Sequence, residues 1–418
     1  MFTDLRSLWA NRAFRLLITA RFISNIGNGM APIALAFGVL SLPGATATSL
    51  SYVTASQMVP IVVFLLIGGV MADRIGRAQM VGGTDVLGSL IVMLNGLLFI
   101  TDSASVLHMC ATGFVTGVLN ALWYPAFSGL LPEVVETEQL QPANSLVGFS
   151  ANIGFTIGAS VAGILVSTVG PGWAFVTDGA SYLCAGALVW QLRSVSTRSP
   201  AGREESVVSQ MRQGWSEFWG RRWLVVIAGS FAVVNMCFEA FLAVLAPLQM
   251  KESLGGARHM GFMMFAWGLG SVCGVLVSMR IRTRKPLITA MAVIPVIGLW
   301  MTALAVPVGL PIIMLLALAT GIAFDIFYVL WMTTVQSQVP QEALSRVGAY
   351  DAFGSNVLVP IGLLVAGPLA TAFGVRSVLL GGAAVTIVIS LGALLSGEVR
   401  AVERRQAALD GTPALPAG

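Results

Sequence analysis

Two acidic residues lie deep within long apolar stretches of this sequence, where a carboxyl group can carry a proton. Asp325 and Glu239 are each flanked on both sides by a dozen or so mostly apolar residues. Because apolar surroundings disfavour the charged form of a carboxyl group, such a residue can bind a proton there and release it when water enters. We therefore predict Asp325 and Glu239 as proton-coupling residues, the alternative being buried acids with no role in transport.

Polar amides recur at the same depth in other apolar stretches. Asn28, Asn120, Asn235 and Asp325 each lie about 12 to 14 residues from the end of a stretch, which is roughly 20 Å along a helix. One polar side chain at this depth on each of four helices predicts a binding ring, although Asn also forms ordinary hydrogen bonds between membrane helices. The aromatic residues expected beside them form a wall suited to a bulky amphiphile; the alternative is that they are ordinary aromatics facing lipid or the helix core. The candidates are Trp123, Tyr124, Phe127, Phe324, Phe327, Tyr328 and Trp331.

The elements that must position these residues are membrane-spanning helices. The chain has 418 residues, of which 56% are hydrophobic and 10% charged, against about 25% charged in soluble domains. Not one Asp, Glu, Lys or Arg occurs between Arg21 and Asp73, and about 20 apolar residues cross a bilayer. Breaks in the apolar pattern predict twelve spans, at about 15–41, 49–72, 79–101, 106–131, 143–168, 172–193, 223–248, 259–280, 286–306, 309–336, 345–372 and 376–397.

The distribution of basic residues predicts which way the chain crosses the membrane. If both termini are cytoplasmic, only Lys251, Arg258 and Arg376 fall outside, whereas the other loop Lys and Arg residues fall inside. The longest polar break divides the chain, so we predict a six-helix bundle over 1–193, a cytoplasmic linker with an amphipathic segment over 194–222, a second six-helix bundle over 223–397 and a disordered cytoplasmic tail over 398–418. The predicted fold is an all-α integral membrane protein.

The loop between the second and third spans carries a recognisable motif. It contains Gly69, Asp73, Arg74, Gly76 and Arg77 at the spacing G-x-x-x-D-R-x-G-R. This motif and the twelve-span layout resemble the major facilitator superfamily. The segment from Tyr124 to Val135 further resembles the enterobactin-exporter and macrolide-efflux branch. The resemblance implies that the loop forms a cytoplasmic latch, which breaks and re-forms during alternating access. A basic loop that only sets the orientation is the alternative.

Other charged residues lie nearer the membrane surfaces. Arg21, Asp85 and Asp351 lie about two turns inside the cytoplasmic ends of their spans, and we predict that they belong to the cytoplasmic gate. Asp178 lies near the outer end of the sixth span, where a hydrogen bond between helices is expected.

The fifth span carries a row of small residues. Gly154, Gly158 and Gly163 resemble the G-x-x-x-G-P-x-x-G-G pattern of antiporters, with Ala159 in place of the proline and Ala162 in place of one glycine. Close packing between helices explains the same spacing about as well.

Taken with the resemblance, these features predict a secondary active transporter of the bacterial inner membrane, with antibiotic resistance as a possible consequence. We expect it to export an amphipathic antibiotic, siderophore or secondary metabolite by proton antiport; the alternative is a proton-coupled importer of a nutrient. Asn28 stands where relatives often carry an acid, which favours neutral or anionic cargo.

Other function classes lack their residues. The chain has two His and four Cys, with neither a C-x-x-C pair nor a Cys and His cluster, so no metal, cofactor or enzyme chemistry is expected. No P-loop supports ATP binding, and the scattered basic residues argue against nucleic acid. The expected partners are the lipid bilayer and a small-molecule substrate, with the proton as coupling ion, and a monomer is expected.

Overall fold

The computed structural model of the chain describes residues 8–136, 139–194, 215–306, 308–340 and 343–402, and the described part is helical without strands. The first half contains α1 (Arg12–Ser41), α2 (Ala47–Ile75), α3 (Arg77–Ile100), α4 (Val106–Val134), α5 (Leu140–Thr168) and α6 (Pro171–Trp190). The second half contains α7 (Arg222–Ala240, then Phe241–Leu245 and Ala246–Ser253), α8 (Gly256–Ser278), α9 (Pro286–Val293 and Pro295–Ala305), α10 (Leu310–Gln338), α11 (Leu344–Asn356 and Val359–Phe373) and α12 (Val375–Leu395).

These twelve helices correspond to the twelve predicted spans. Eleven of them are long and apolar enough to cross a membrane. The exception within the described residues is α6, a 20-residue helix that carries the buried Asp178. Because lipid offers the backbone no hydrogen-bonding partner, each apolar segment satisfies its own peptide groups as a helix. The sequence therefore predicted the fold class correctly.

Three helices in the second half are interrupted. A π-helical turn, Phe241–Leu245, lies within α7, and α9 is divided at Pro295. The two segments of α11 meet just before Pro360, where the proline nitrogen cannot donate a hydrogen bond to the preceding turn. Asn235 of α7 donates to the carbonyl oxygen of Ser355 near this break, over 2.9 Å.

Glycines allow the helices of the first half to pack closely. In that half α1 packs against α5 and α6, α2 against α4, and α3 against α6. A Cβ atom added at Gly82 of α3 would lie 3.2 Å from the carbonyl oxygen of Gly186 in α6. Such close backbone approach replaces the hydrophobic driving force that lipid does not supply.

The two halves meet mainly along α5 with α8 and along α2 with the second segment of α11. We call the end of the molecule with the α2–α3 loop the basic end and the other the opposite end. At the opposite end, Lys251 donates to the carbonyl oxygen of Leu40, and the backbone nitrogen of Gly367 donates to Ser51 Oγ over 2.7 Å. At the basic end, Phe149 and Phe353 are exposed. The halves are therefore joined at the opposite end.

The structure describes only part of the predicted linker and tail. Residues 195–214 and 403–418 lie outside the described residues. Within the linker Phe218 is buried beside Tyr350 of α11, whereas Trp215 and Trp219 are half exposed. The first residues of the predicted disordered tail form a helical turn, Gly397–Arg400, because Val399 is buried against the second half.

Candidate functional site

A cavity of about 450 Å³ lies within the first half and extends to α7 and α8 of the second half. Small-molecule sites have volumes of about 300–1,000 Å³. Three carboxyl groups line the cavity, those of Asp85, Asp178 and Glu239, and no Lys, Arg or His is among its lining residues. The described lining of the cavity is therefore acidic.

The rest of the wall is aromatic and rich in methionine. The aromatic members are Trp123, Phe155, Phe175, Tyr182 and Trp267, and the methionines are Met58, Met109, Met260 and Met264. Aromatic faces attract cations, and unbranched thioether side chains adapt to ligands of different shapes. This wall suits a bulky amphiphile.

The predicted polar ring is only partly formed. Asn28 and Asn120 line the cavity, and Asn28 Oδ1 accepts a hydrogen bond of 2.5 Å from the Tyr182 hydroxyl. Asn235 is not among the lining residues, because its amide serves the break in α11.

The two predicted proton carriers have different surroundings. Glu239 projects into the cavity from the middle of α7 and makes no hydrogen bond or ion pair within the described residues. The π-helical turn begins two residues after Glu239, at Phe241, and Leu242 and Ala243 of that turn also line the cavity. Such turns are frequent at functional sites. Glu239 is therefore free to meet a ligand.

Asp325 lies instead between α8 and α10. Asp325 Oδ2 accepts a hydrogen bond from the Ser271 hydroxyl. A Cβ atom added at Gly274 of α8 would lie 2.9 Å from the Cβ atom of Asp325. Asp325 does not line the cavity. In this structure Asp325 joins two helices.

Of the seven aromatic candidates, Trp123 lines this cavity, whereas Tyr124, Phe324, Tyr328 and Trp331 are not among its lining residues. Tyr124 of α4 and Tyr328 of α10 are 66% and 57% exposed. Phe324 packs against Phe238 with ring centroids 4.8 Å apart. Trp331 is buried and donates to Asp351 Oδ2 over 3.0 Å. The tyrosines are thus accessible, whereas Phe324 and Trp331 pack within the second half.

The α2–α3 loop turns sharply at Gly76. Gly76 has φ +107°, a conformation that favours glycine. Arg77 donates to the carbonyl oxygen of Gly129 over 2.8 Å and pairs with Glu133 at 3.2 Å, which joins α3 to α4. The surroundings of Gly69 and the side chains of Asp73 and Arg74 belong to the part of the chain that the structure does not describe.

Two of the predicted gate residues lie together in the first half. The Arg21 guanidinium lies over the rings of Trp123 and Phe127, 4.8 and 4.4 Å from their centroids, and interacts electrostatically with Asp85. Asp351 lies in the second half, where it binds Trp331. The structure therefore brings Arg21 and Asp85 together but not Asp351.

The glycines of α5 make two different contacts. A Cβ atom added at Gly154 would lie 2.7 Å from the carbonyl oxygen of Phe22, and one at Gly158 would overlap the backbone of Ile26, both in α1. A Cβ atom at Gly163 would lie 2.9 Å from the Cα of Gly261 in α8. Gly163 therefore packs across the boundary between the halves, whereas Gly154 and Gly158 pack within the first half.

The structure adds cavity residues that the sequence analysis did not select. Asp178 was expected to bond to a neighbouring helix, yet its Oδ1 has no hydrogen-bond partner within the described residues. Phe175, Asp178 and Tyr182 all line the cavity from one face of α6. Their spacing of three and four residues places them on one helix face and was the available signal.

Comparison with known proteins gives consistent results. The sequence profile of the Major Facilitator Superfamily matches residues 17–359. The multidrug efflux pump Tap of Mycolicibacterium fortuitum is 25% identical over 406 residues, covering 94% of this chain and 96% of Tap. The pump of the same name from Mycobacterium bovis is 24% identical over 375 residues, covering 87% and 88%.

Solved structures share the fold at low identity. The nucleoside transporter NupG superposes with a TM-score of 0.71 at 12% identity, covering 91% of this chain and 98% of NupG. An auto-inhibited peptide transporter of the POT family gives a TM-score of 0.74 at 15% identity, covering 96% and 99%.

Proposed function

The chain belongs to the major facilitator superfamily, and from this we propose that it exports small amphipathic molecules across the bacterial inner membrane in exchange for protons. As a member of this family it is a membrane transporter and not an enzyme. Relatives that it matches over most of its length are named multidrug efflux pumps. Antiport, proton coupling and the class of cargo are our proposals.

The observation that carries the proposal is the position of Glu239. Its carboxyl group projects into an apolar and aromatic cavity next to the boundary between the halves, without a partner among the described residues. A carboxyl group there can bind a proton or contact a ligand, but it cannot do both at the same time, so the proton and the ligand compete for it. Competition of this kind couples the movement of the cargo to that of the proton.

The contacts between the halves support alternating access. With the opposite end joined through Lys251 and Ser51, cargo enters from the basic end, which positive charge assigns to the cytoplasm. Breaking these contacts while the latch loop closes the basic end would expose the cavity to the outside. Export then requires that the proton arrive from outside and leave to the cytoplasm.

The test is drug accumulation in an efflux-deficient bacterium that expresses the chain, with and without a protonophore. We expect the wild type to lower accumulation of amphipathic antibiotics and the protonophore to reverse this. Glu239→Gln removes the proton carrier at nearly constant shape, so we expect at least about a tenfold loss of export rate. Glu252→Gln, an exposed site on the same helix, is the control and keeps full export.

Two results would contradict the proposal. Higher, protonophore-sensitive accumulation would make the protein an importer, the alternative that the fold also allows. Export by Glu239→Gln at the wild-type rate would remove Glu239 as the coupling residue.

A further inference from the structure

Asp178 is a buried carboxyl group for which the described residues of the first half supply no hydrogen-bond donor or cation. Asp178 is 1% exposed and lines the cavity from α6. A Cβ atom at Gly27 of α1 would overlap its Oδ1, so the carboxyl group lies directly against the backbone of α1. Oδ1 has no hydrogen-bond partner within the described residues. The nearby hydroxyl of Ser181 donates instead to the backbone oxygen of Asp178 over 2.7 Å.

The groups around Asp178 supply acceptors but few donors. The proton of the Tyr182 hydroxyl is directed to Asn28. Asn95 Oδ1, a second cavity-lining oxygen, is also buried without a partner in the described part of the chain. Of the charged residues on the neighbouring helices α1 and α3, Arg21 and Asp85 lie deepest and interact with each other. Arg12, Arg15 and Arg77 lie in the first turn of these helices, at the basic end. Glu239 of α7 adds a further acid to the wall.

An isolated carboxylate in a membrane interior is unstable unless a proton or another cation accompanies it. Around Asp178, Phe175 and Tyr182 flank the carboxyl group on the same helix, and Phe155 and Trp267 line other parts of the same cavity. A soft, delocalised cation gains both from the negative charge and from the aromatic faces. The free acceptors and aromatic walls are thus complementary to an amphipathic cation.

We propose that Asp178 is the anionic end of a binding site for amphipathic cations, in which the cargo displaces the proton that Asp178 otherwise holds. This inference rests on the proposed export function and names its substrate class. It reverses the preference for neutral or anionic cargo that Asn28 suggested, because the acid missing from α1 is supplied by α6. Asn28 of α1 and Asp178 of α6 line the same cavity. The negative charge therefore enters this cavity from α6 and not from α1.

The experiment measures binding to the purified full-length chain in lipid nanodiscs, using two ions of matched shape and opposite charge. We expect tetraphenylphosphonium to bind and tetraphenylborate to bind at least about tenfold more weakly. Asp178→Asn should weaken tetraphenylphosphonium binding by about tenfold or more, because the charge is lost while the shape is kept. In weakly buffered solution, phosphonium binding should release protons from the wild type and fewer from the variant.

Two further variants separate binding from folding. Asp102→Asn changes an exposed acid in the α3–α4 loop and should leave both affinities unchanged. Gly27→Ala places a methyl group where Asp178 Oδ1 and Ser181 Oγ now lie, so it displaces the carboxyl group without changing charge and should also weaken phosphonium binding. Thermal unfolding of each variant verifies that it is folded.

Unchanged phosphonium affinity in folded Asp178→Asn would overturn the site, and so would equal binding of the two ions by the wild type. Because binding is measured without a gradient, it does not depend on export. Binding that requires Asp178 in a protein that exports nothing would sustain the site and contradict the efflux proposal. Protonophore-sensitive export by the wild type, together with unchanged phosphonium binding in Asp178→Asn, would sustain the efflux proposal and contradict the site.

Discussion

At the scale of single residues, identical functional groups differ in role because their neighbours differ. Asp325 and Glu239 both carry a carboxyl group in the middle of an apolar helix. Asp325 binds Ser271 between two helices, whereas Glu239 faces the cavity without a partner among the described residues. The assignment of Asp325 to proton coupling stays a prediction, and the geometry favours Glu239.

Arg77 provides a prediction at this scale. Arg77→Ala removes a hydrogen bond to the Gly129 carbonyl oxygen and an ion pair with Glu133. We expect the free energy of unfolding to fall by about 1–3 kcal/mol, because bonds to charged groups contribute in that range when partly buried. The measurement is thermal or denaturant unfolding in detergent.

The matched control for Arg77 is Glu398→Gln. Glu398 pairs with Arg222 at 3.8 Å, and both side chains are well exposed. Solvent and salt weaken such a pair, so the change should stay within about 0.5 kcal/mol. Equal losses in Arg77→Ala and Glu398→Gln would show that Arg77 does not brace α3 against α4.

At the scale of helices, α5 uses small residues to hold two different partners. Gly154 and Gly158 allow α1 to approach, and Gly163 allows α8 of the other half to approach. The resemblance of this row to an antiporter motif has a physical basis in Gly163, which lies where the halves meet. Whether the row also serves antiport is a prediction that close packing does not test.

Gly163→Val tests the contact across the boundary. Its side chain would meet the carbonyl oxygen of Ala257, which lies 2.8 Å from an added Cβ, and the backbone of Gly261. We expect a loss of stability of about 1–3 kcal/mol from overpacking, together with lower transport. Gly148→Val, on the same helix with open space around it, should change stability little. If Gly163→Val is as stable and active as Gly148→Val, the contact is dispensable.

At the scale of the whole molecule, contacts between the halves are concentrated at one end. Lys251, Ser51 and Gly367 join them at the opposite end, while Tyr124 and Tyr328 are accessible towards the basic end. If the basic end is cytoplasmic, this structure is open to the cytoplasm. The orientation of the chain in the membrane therefore decides from which side of the membrane the cavity takes up cargo.

Cysteine labelling tests the orientation. In a variant without the four native cysteines, Ser103→Cys probes the α3–α4 loop at the opposite end and Ser145→Cys probes the start of α5 at the basic end; both sites are exposed. We expect a membrane-impermeant maleimide to label Ser103→Cys in intact cells and Ser145→Cys only in inverted vesicles. The reverse pattern would place both termini outside.

The sequence by itself determined the twelve helices and the family. Both can be predicted locally. Each membrane helix satisfies its own backbone hydrogen bonds, and the apolar composition of a segment is enough to predict that it lies in the membrane. Only the tertiary structure decided which polar residues reach the cavity. Depth along a helix was readable for Asn28 and Asn235, but rotation about the helix axis was not.

The physical reason is that lipid-facing and core-facing surfaces of these helices are both apolar, so no hydrophobic face marks the inside. Contacts between distant segments therefore placed Asn235 at the break in α11, Asp325 against α8 and Asp178 against Gly27. The π-helical turn in α7 likewise became known only from the structure, which places its Leu242 and Ala243 at the cavity.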